Sequence, residues 1–356
     1  MNIDDIPPWN RPHWERLTAP GAGMAHGLLF HGLPGLGKSE LALAYAGHLL
    51  AAGTGNPAQA AALFQGGNHP DFHVLMPEAE AAQETAGLFG RYAQRYPDPE
   101  AKKGAKPKRV ITVAQAREAM AAIAARPYFA PCKVFVILPA DRLNNNAANA
   151  LLKMLEEPPP DTTLLLVTAR PHLLPATVKS RLVRFEFRAP PAPPALAWLR
   201  PRLPQGADGE LLLRLAHGAP VLALQLAHDD TLGRRDEFFR QLDDLKSGRS
   251  DALAVAEGWR QAGMETTLQA LNGFLADIAR GAVSARPPTL SHPDRLAWTL
   301  KQGRGLDRLA LFRFADRLSQ ARRLADAPLD SLLQLEDLAL ALAEFLRGGS
   351  SSSAML

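Results

Sequence analysis

The chain has 356 residues, 47% of them of apolar types, which is enough for sizeable cores in about two or three domains. Its single cysteine, Cys132, excludes a disulfide framework and a cysteine-rich zinc site and fits a reducing cytoplasm. The net charge of +4 at pH 7 suits contact with nucleic acid or an acidic partner without requiring either. No apolar run approaches the length of a membrane span, and Met1–Trp9 lacks the features of a signal peptide, so a cytoplasmic protein with no membrane role is expected.

In chain order, residues 1–26 hold Pro7-Pro8-Trp9 and a short amphipathic piece around Trp14–Leu17, expected to pack beside the first strand. Gly27–His31 is an apolar run suited to a buried strand, and Glu40–Leu50 reads as a helix. Between them stands Gly32–Ser39, Gly-Leu-Pro-Gly-Leu-Gly-Lys-Ser, in the strand–loop–helix setting that a phosphate-binding loop requires. Glycines such as Gly32, Gly35 and Gly37 let the backbone N–H groups turn inward, and the helix N-terminus adds partial positive charge. Lys38 is expected to reach the terminal phosphates and Ser39 to hold Mg²⁺, which makes ATP or ADP with Mg²⁺ the expected ligand.

Ala51–Gly67 is rich in Ala and Gly, and His69–Met76 reads as a turn followed by a strand. His69 and His73 have no cysteine or further histidine nearby, so ordinary roles outweigh a metal site. Residues 77–109 read as polar and loop-like, ending in a basic run from Lys102 to Arg109. A solvated basic loop is the plain expectation there and a phosphate-contacting patch the sharper one. Thr112 and Gln115 form a capping box for a helix to about Ala125. Lys133–Leu138 is a fully apolar strand of the buried parallel type. Asn144–Asn146 supply caps for a helix through Glu157, which Pro158–Pro160 end. On it, Lys153, Glu156 and Glu157 read as a solvated intrahelical charge pattern. Thr163–Thr168 is another buried strand, and Leu182–Phe187 follows a turn that ends in Ser180-Arg181. Strands alternating with helices from a phosphate loop onward predict a three-layer α/β domain with a parallel sheet.

Beyond Phe187 the strand signal stops. Ala189–Pro194 reads as a Pro-rich linker, followed by short helices at about Asp208–His217 and Pro220–His228. Residues 230–347 are apolar-periodic helices, the longest at about Leu306–Ala325 and Ser331–Leu346, which suggest an antiparallel bundle. The expected organisation is a core domain over 1–187, a small helical lid over 188–229, an all-α domain over 230–348 and a flexible tail over 349–356.

A nucleotide-hydrolysing loop of this class needs a partner strand ending in acidic residues, one holding Mg²⁺ and the next orienting the attacking water. Lys133–Leu138 is that strand, and Leu138-Pro139 stand where the acidic pair is expected. Asp141 lies three residues further on, at a turn. The cradle is present and the hydrolytic carboxylates are not.

Asn146–Pro159 resembles the signature helix of bacterial clamp-loader subunits of the AAA+ family, and Leu164–Thr168 resembles their sensor-1 strand. Leu174–Arg181 is similar to their Ser-Arg-Cys motif, with Leu182 in place of the cysteine. Pro8-Trp9, His69-Pro70-Asp71 and the Asn-rich start of the signature helix resemble, more narrowly, the delta prime family. The likeness is detailed over 7–187 and architectural beyond, where it implies an AAA+ core and lid followed by an oligomerising helical collar. It implies a non-hydrolysing subunit of a hetero-oligomeric ring with motor (tau/gamma) and delta subunits, reaching a sliding clamp and primed DNA through the complex. Arg181, next to Ser180, is implied as an arginine finger for a neighbouring subunit, with catalysis carried by partners. Two departures stand out. The zinc-binding cysteines common in that family are missing from Ala51–Asn68, so no zinc is expected, and Val221-Leu222 follow Gly218-Ala219-Pro220 where a motor subunit places its sensor-2 arginine. The rival expectation is an active AAA+ ATPase remodelling nucleic acid or protein, with Asp141 or Glu186 as an unusual metal ligand.

Overall fold

The computed structural model describes residues 6–19, 26–83, 86–101, 106–229, 231–284, 290–303, 307–324 and 330–347. The chain divides into two compact units, Met1–Pro191 and Ala192–Leu356. Lys102 and Lys103 of the basic run, and the expected tail, lie outside the described residues.

The N-terminal unit is built on five parallel strands: β1 (Gly27–Gly32), β2 (Phe72–Leu75), β3 (Lys133–Ile137), β4 (Thr162–Thr168) and β5 (Val183–Phe187). Their order across the sheet is β2-β3-β4-β1-β5, with Phe30 opposite Val167 on one side and Phe185 on the other. Strands β3 and β4 are buried along their whole length, which is why they read as continuous apolar runs rather than as alternation. Around them lie α1 (Arg11–Thr18), α2 (Lys38–Ala51), α3 (Pro57–Gln65), α4 (Glu78–Ala81), α5 (Gly87–Ala93), α6 (Val113–Ala124), α7 (Asn145–Glu156) and α8 (Ala176–Lys179). One side of the sheet packs Leu29, Phe135, Ile137, Leu164 and Leu166 against Ala119 and Ile123 of α6 and Leu151 and Met154 of α7. The capping box of α6 is formed: Gln115 N donates to Thr112 Oγ1, and Thr112 N donates to Gln115 Oε1. The Asn144 side chain caps α7 by accepting from Ala147 N at 2.8 Å.

Three stretches of this unit without an expected helix are helical, one of them α8, which lies in the expected turn before Ser180. Asn56 caps α3 by accepting from Gln59 N. The polar stretch after residue 77 carries α4 and α5, and it buries Phe89, Tyr92, Ala93 and Tyr96. Those four stand at helical spacing, a signal masked by the surrounding Gly, Gln and Pro. At the N-terminus, α1 sits beside the edge strand β5 rather than β1, with His13 Nε2 3.1 Å from Glu186 O and its ring against Phe187.

The C-terminal unit is all helical: α9 (Ala192–Leu199), α10 (Gly209–Leu215), α11 (Pro220–His228), α12 (Thr231–Ser247), α13 (Ala252–Ala262), α14 (Met264–Val283), α15 (Leu296–Gly303), α16 (Arg308–Leu324) and α17 (Ser331–Leu346). The expected linker overlaps α9, because Pro193 and Pro194 fall in its first turn, where no intrahelical N–H is lost. Leu242, Ala256, Leu271, Phe274, Leu335 and Leu342 form the centre of the core of α12–α17, each no more than 1% exposed. Among the described residues no single helix is long and apolar enough to cross a membrane.

Candidate functional site

The phosphate loop leaves the carboxyl end of β1, a central strand, and runs into α2. Carboxyl ends of parallel strands are where such sheets bind ligands. Two glycines are required by geometry. A Cβ on Gly32 (φ 148°) would stand 2.2 Å from Phe187 O. One on Gly37 (φ 83°) would stand 2.6 Å from Asn10 Nδ2 and 2.8 Å from Pro7 Cγ. Gly35 is also left-handed, at φ 70°.

Lys38 opens α2 and is 7% exposed. Its Nζ donates to Gly32 O at 2.9 Å and Leu33 O at 2.6 Å, so two of three ammonium protons are fixed and one remains for a ligand. Burial lowers its pKa to about 8, partly offset by the Glu40 and Asp141 carboxylates. An anion entering the loop restores what burial takes away. Ser39 follows in the first turn of α2, half-buried. Curled glycines, a helix start and a preset ammonium fit a nucleotide phosphate chain: Gly35, Gly37 and Lys38 would hold the phosphates and Ser39 the Mg²⁺.

The adjacent strand ends bear on hydrolysis. Past the end of β3, Asp141 has a side chain 2% exposed that is fully engaged. It accepts from Thr168 Oγ1 at the end of β4 and from Arg170 Nε (2.9 Å) and Nη2 (2.6 Å). Glu186 is exposed and pairs with Arg188 at 2.6 Å. Each carboxylate considered as an alternative metal ligand has an arginine on it.

Arg181 follows α8 on the surface. Its Nη2 lies 2.5 Å from Glu156 Oε1, and its Nη1 donates to Thr177 O at 2.8 Å. Ser180 Oγ also donates to Thr177 O. The partners are 35% and 51% exposed, a class of pair worth about 0–1 kcal/mol. Leu182, in the cysteine position of the motif, is 7% exposed and fills the space over Gly27 beside Leu155, fixing the backbone next to Arg181. Glu156, expected in an intrahelical pattern with Lys153, is instead the Arg181 partner.

His69 and His73 are buried in hydrogen-bonded positions: His69 Nδ1 accepts from Asp71 N, and His73 Nδ1 lies 2.5 Å from Tyr96 Oη. Burial, with Arg95 and Lys133 adding to it, lowers the His73 pKa to about 4. Among the described residues no group of three or more His, Cys, Asp or Glu could hold a metal. Within the basic run, Lys108 is paired with Asp98 at 2.5 Å. Three roles gave no local sequence signal: Asn10 and Trp9 on the loop, Arg170 on Asp141, and Asp71 on the 128–130 turn. All join residues far apart in the chain.

A family model described as DNA polymerase III, delta subunit matches residues 17–191. The chain is 34% identical over 262 residues to DNA polymerase III subunit delta′ of Pseudomonas aeruginosa, covering 72% of this chain and 71% of that one. It is 32% identical over 264 residues to the subunit delta′ of Escherichia coli, with the same coverages. Among solved structures, a DNA polymerase III gamma subunit-related protein of Thermotoga maritima aligns at 16% identity and a TM-score of 0.43, over 91% of this chain and 96% of that one.

Proposed function

This chain belongs to the family of DNA polymerase III delta′ subunits, and on that premise we propose that it is the non-hydrolysing member of a hetero-oligomeric clamp loader. In this role it completes a ring with motor (tau/gamma) and delta subunits, and the complex loads a sliding clamp onto primed DNA. It catalyses nothing alone. Arg181 reaches a neighbour's ATP and offsets charge developing on the transferred phosphoryl group. The C-terminal unit, as lid and collar, holds its place in the ring.

One observation supports this: a furnished phosphate cradle stands beside strand ends whose two nearby carboxylates, Asp141 and Glu186, are each paired with an arginine, while Arg181 sits at the surface in an exposed ion pair and a bond to Thr177 O. Leu138-Pro139 occupy the positions of the acidic pair, and Asp141 is taken by Thr168 and Arg170. The loop binds ATP or ADP with Mg²⁺ as a fixed ligand or a sensor of nucleotide.

The test is the DNA- and clamp-stimulated ATPase of reconstituted motor subunits with this chain as wild type or Arg181→Ala. Fingers of this kind contribute on the order of 10³–10⁵ in rate. The expected result is a loss of orders of magnitude with assembly intact. Equal rates would leave Arg181 as a partner of Glu156 and nothing more. The purified chain alone with Mg²⁺, ATP and primed DNA is expected to show no turnover.

A further inference from the structure

The N-terminal turn is tied to the phosphate loop by side chains that nothing in the loop motif calls for. Pro8–Asn10 form one turn of 3₁₀ helix, closed by Asn10 N donating to Pro7 O at 2.8 Å. From it, Trp9 Nε1 donates to Leu36 O at 2.9 Å. Asn10 Nδ2 donates to Leu36 O at 2.8 Å and to Gly37 O at 3.2 Å. Asn10 is 2% exposed, and its amide lies against Gly37 where any Cβ would collide with it.

The consequence follows from the planar trans peptide, in which C=O and N–H point in opposite directions. Holding the Leu36 carbonyl toward the N-terminal turn aims the Gly37 N–H the other way. Holding the Gly37 carbonyl there does the same for the Lys38 N–H. Those N–H groups are the ones a phosphate loop presents to its anion. Gly37 has no side chain to resist rotation of the Leu36–Gly37 peptide, whereas the Gly37–Lys38 peptide is also held by α2, whose Leu41 N donates to Gly37 O at 3.1 Å, so the tie to Leu36 O is the one the loop lacks by itself. A flipped Leu36–Gly37 peptide would turn a carbonyl oxygen toward the phosphates.

We infer that Asn10, aided by Trp9, is a positioning residue for nucleotide binding: it sets the peptide directions that turn Gly35–Lys38 into an anion cradle. This rests on the proposal that the loop binds nucleotide. It assigns a function to the N-terminal Pro-Trp segment and makes the cradle a composite of two stretches 26–27 residues apart.

The test is the affinity of the full chain for a fluorescent ADP with Mg²⁺, in wild type, Asn10→Ala, Asn10→Asp, Trp9→Phe, Lys38→Ala and the Asn10→Ala/Lys38→Ala double variant. Asn10→Asp keeps the shape and removes the donor, and Trp9→Phe keeps the ring and removes Nε1. Expected is a weakening of about tenfold for both Asn10 variants, the effect of one good hydrogen bond, and about two- to threefold for Trp9→Phe. In the Lys38→Ala background, which keeps the Gly37 and Lys38 backbone N–H groups, Asn10→Ala is expected to weaken the remaining binding by a similar factor, and both are measured at a temperature where the variants are fully folded, which separates positioning from general stability. Should either Asn10 variant fail to fold, Trp9→Phe carries the test. Tight binding by wild type with unchanged affinity in the Asn10 variants and Trp9→Phe overturns this inference and leaves the nucleotide proposal standing. Absence of binding by wild type overturns both.

Discussion

Lys38 has three N–H donors and two of them already occupied, and that division governs how the loop responds to pH. Burial holds its pKa to about 8. A bound polyphosphate favours the charged ammonium, so the pKa in the complex lies above that of the free chain. The sign follows: affinity is full below about pH 8 and falls as pH rises through that value, by at most about tenfold per unit while free Lys38 is deprotonated and bound Lys38 is not. Titration calorimetry with ADP and Mg²⁺ at pH 7 and pH 9 measures this. Lys38→Arg, if it binds, is expected to show no such fall, because arginine stays charged throughout. A wild-type affinity that is flat from pH 7 to 9 would mean that the ammonium does not contact the phosphates. The same scale explains why the missing acidic pair is not made good nearby. Asp141 makes three contacts with Thr168 and Arg170, and freeing it for a metal would strand a largely buried carboxylate from its partners.

Among the elements, the legible ones carried their cause locally. Strands β1, β3 and β4 read as apolar runs suited to burial, the capping box named the start of α6, and the glycine pattern placed the loop. Helices α3, α4 and α5 were not legible, because Gly, Gln and Pro outweighed a short periodic signal. The ties between elements were not legible either, and Asp71 is the strongest example. Its carboxylate, 2% exposed, accepts from the backbone N–H groups of Tyr128 (2.6 Å), Phe129 (2.7 Å) and Ala130 (2.7 Å), so it fastens the turn that feeds β3 to the start of β2. Nothing within a few residues of Asp71 reveals this; its partners are 57–59 positions away. Asp71→Ala leaves three N–H groups near the sheet without an acceptor and is expected to cost about 3 kcal/mol or more in a urea melt. Thr112→Ala, which removes one cap, is expected to cost about 1 kcal/mol. A smaller cost for Asp71→Ala than for Thr112→Ala would show that water satisfies the turn as well as the carboxylate does.

At the scale of the whole molecule, the two units have separate cores and, in the proposed clamp loader, separate tasks. That separation predicts a crossed pattern of effects. Leu342 is 0% exposed among Leu271, Phe274 and Leu335 in the C-terminal unit, so Leu342→Ala removes packing that its neighbours cannot all recover and costs about 2–5 kcal/mol. If that unit holds the ring, the loss surfaces as weaker assembly with motor and delta subunits, read by sedimentation of the mixture, while the N-terminal unit keeps its affinity for ADP. Arg181 is on the surface in a weak pair, so Arg181→Ala is expected to leave the melting curve and the assembly unchanged and to remove the ATPase of the neighbour. Measured together, the two variants separate a subunit that supplies chemistry from one that only fills a position. Assembly lost with Arg181→Ala would make the arginine an interface contact. Assembly unchanged with Leu342→Ala, at a temperature where its C-terminal unit has melted, would move the ring contacts onto the N-terminal unit.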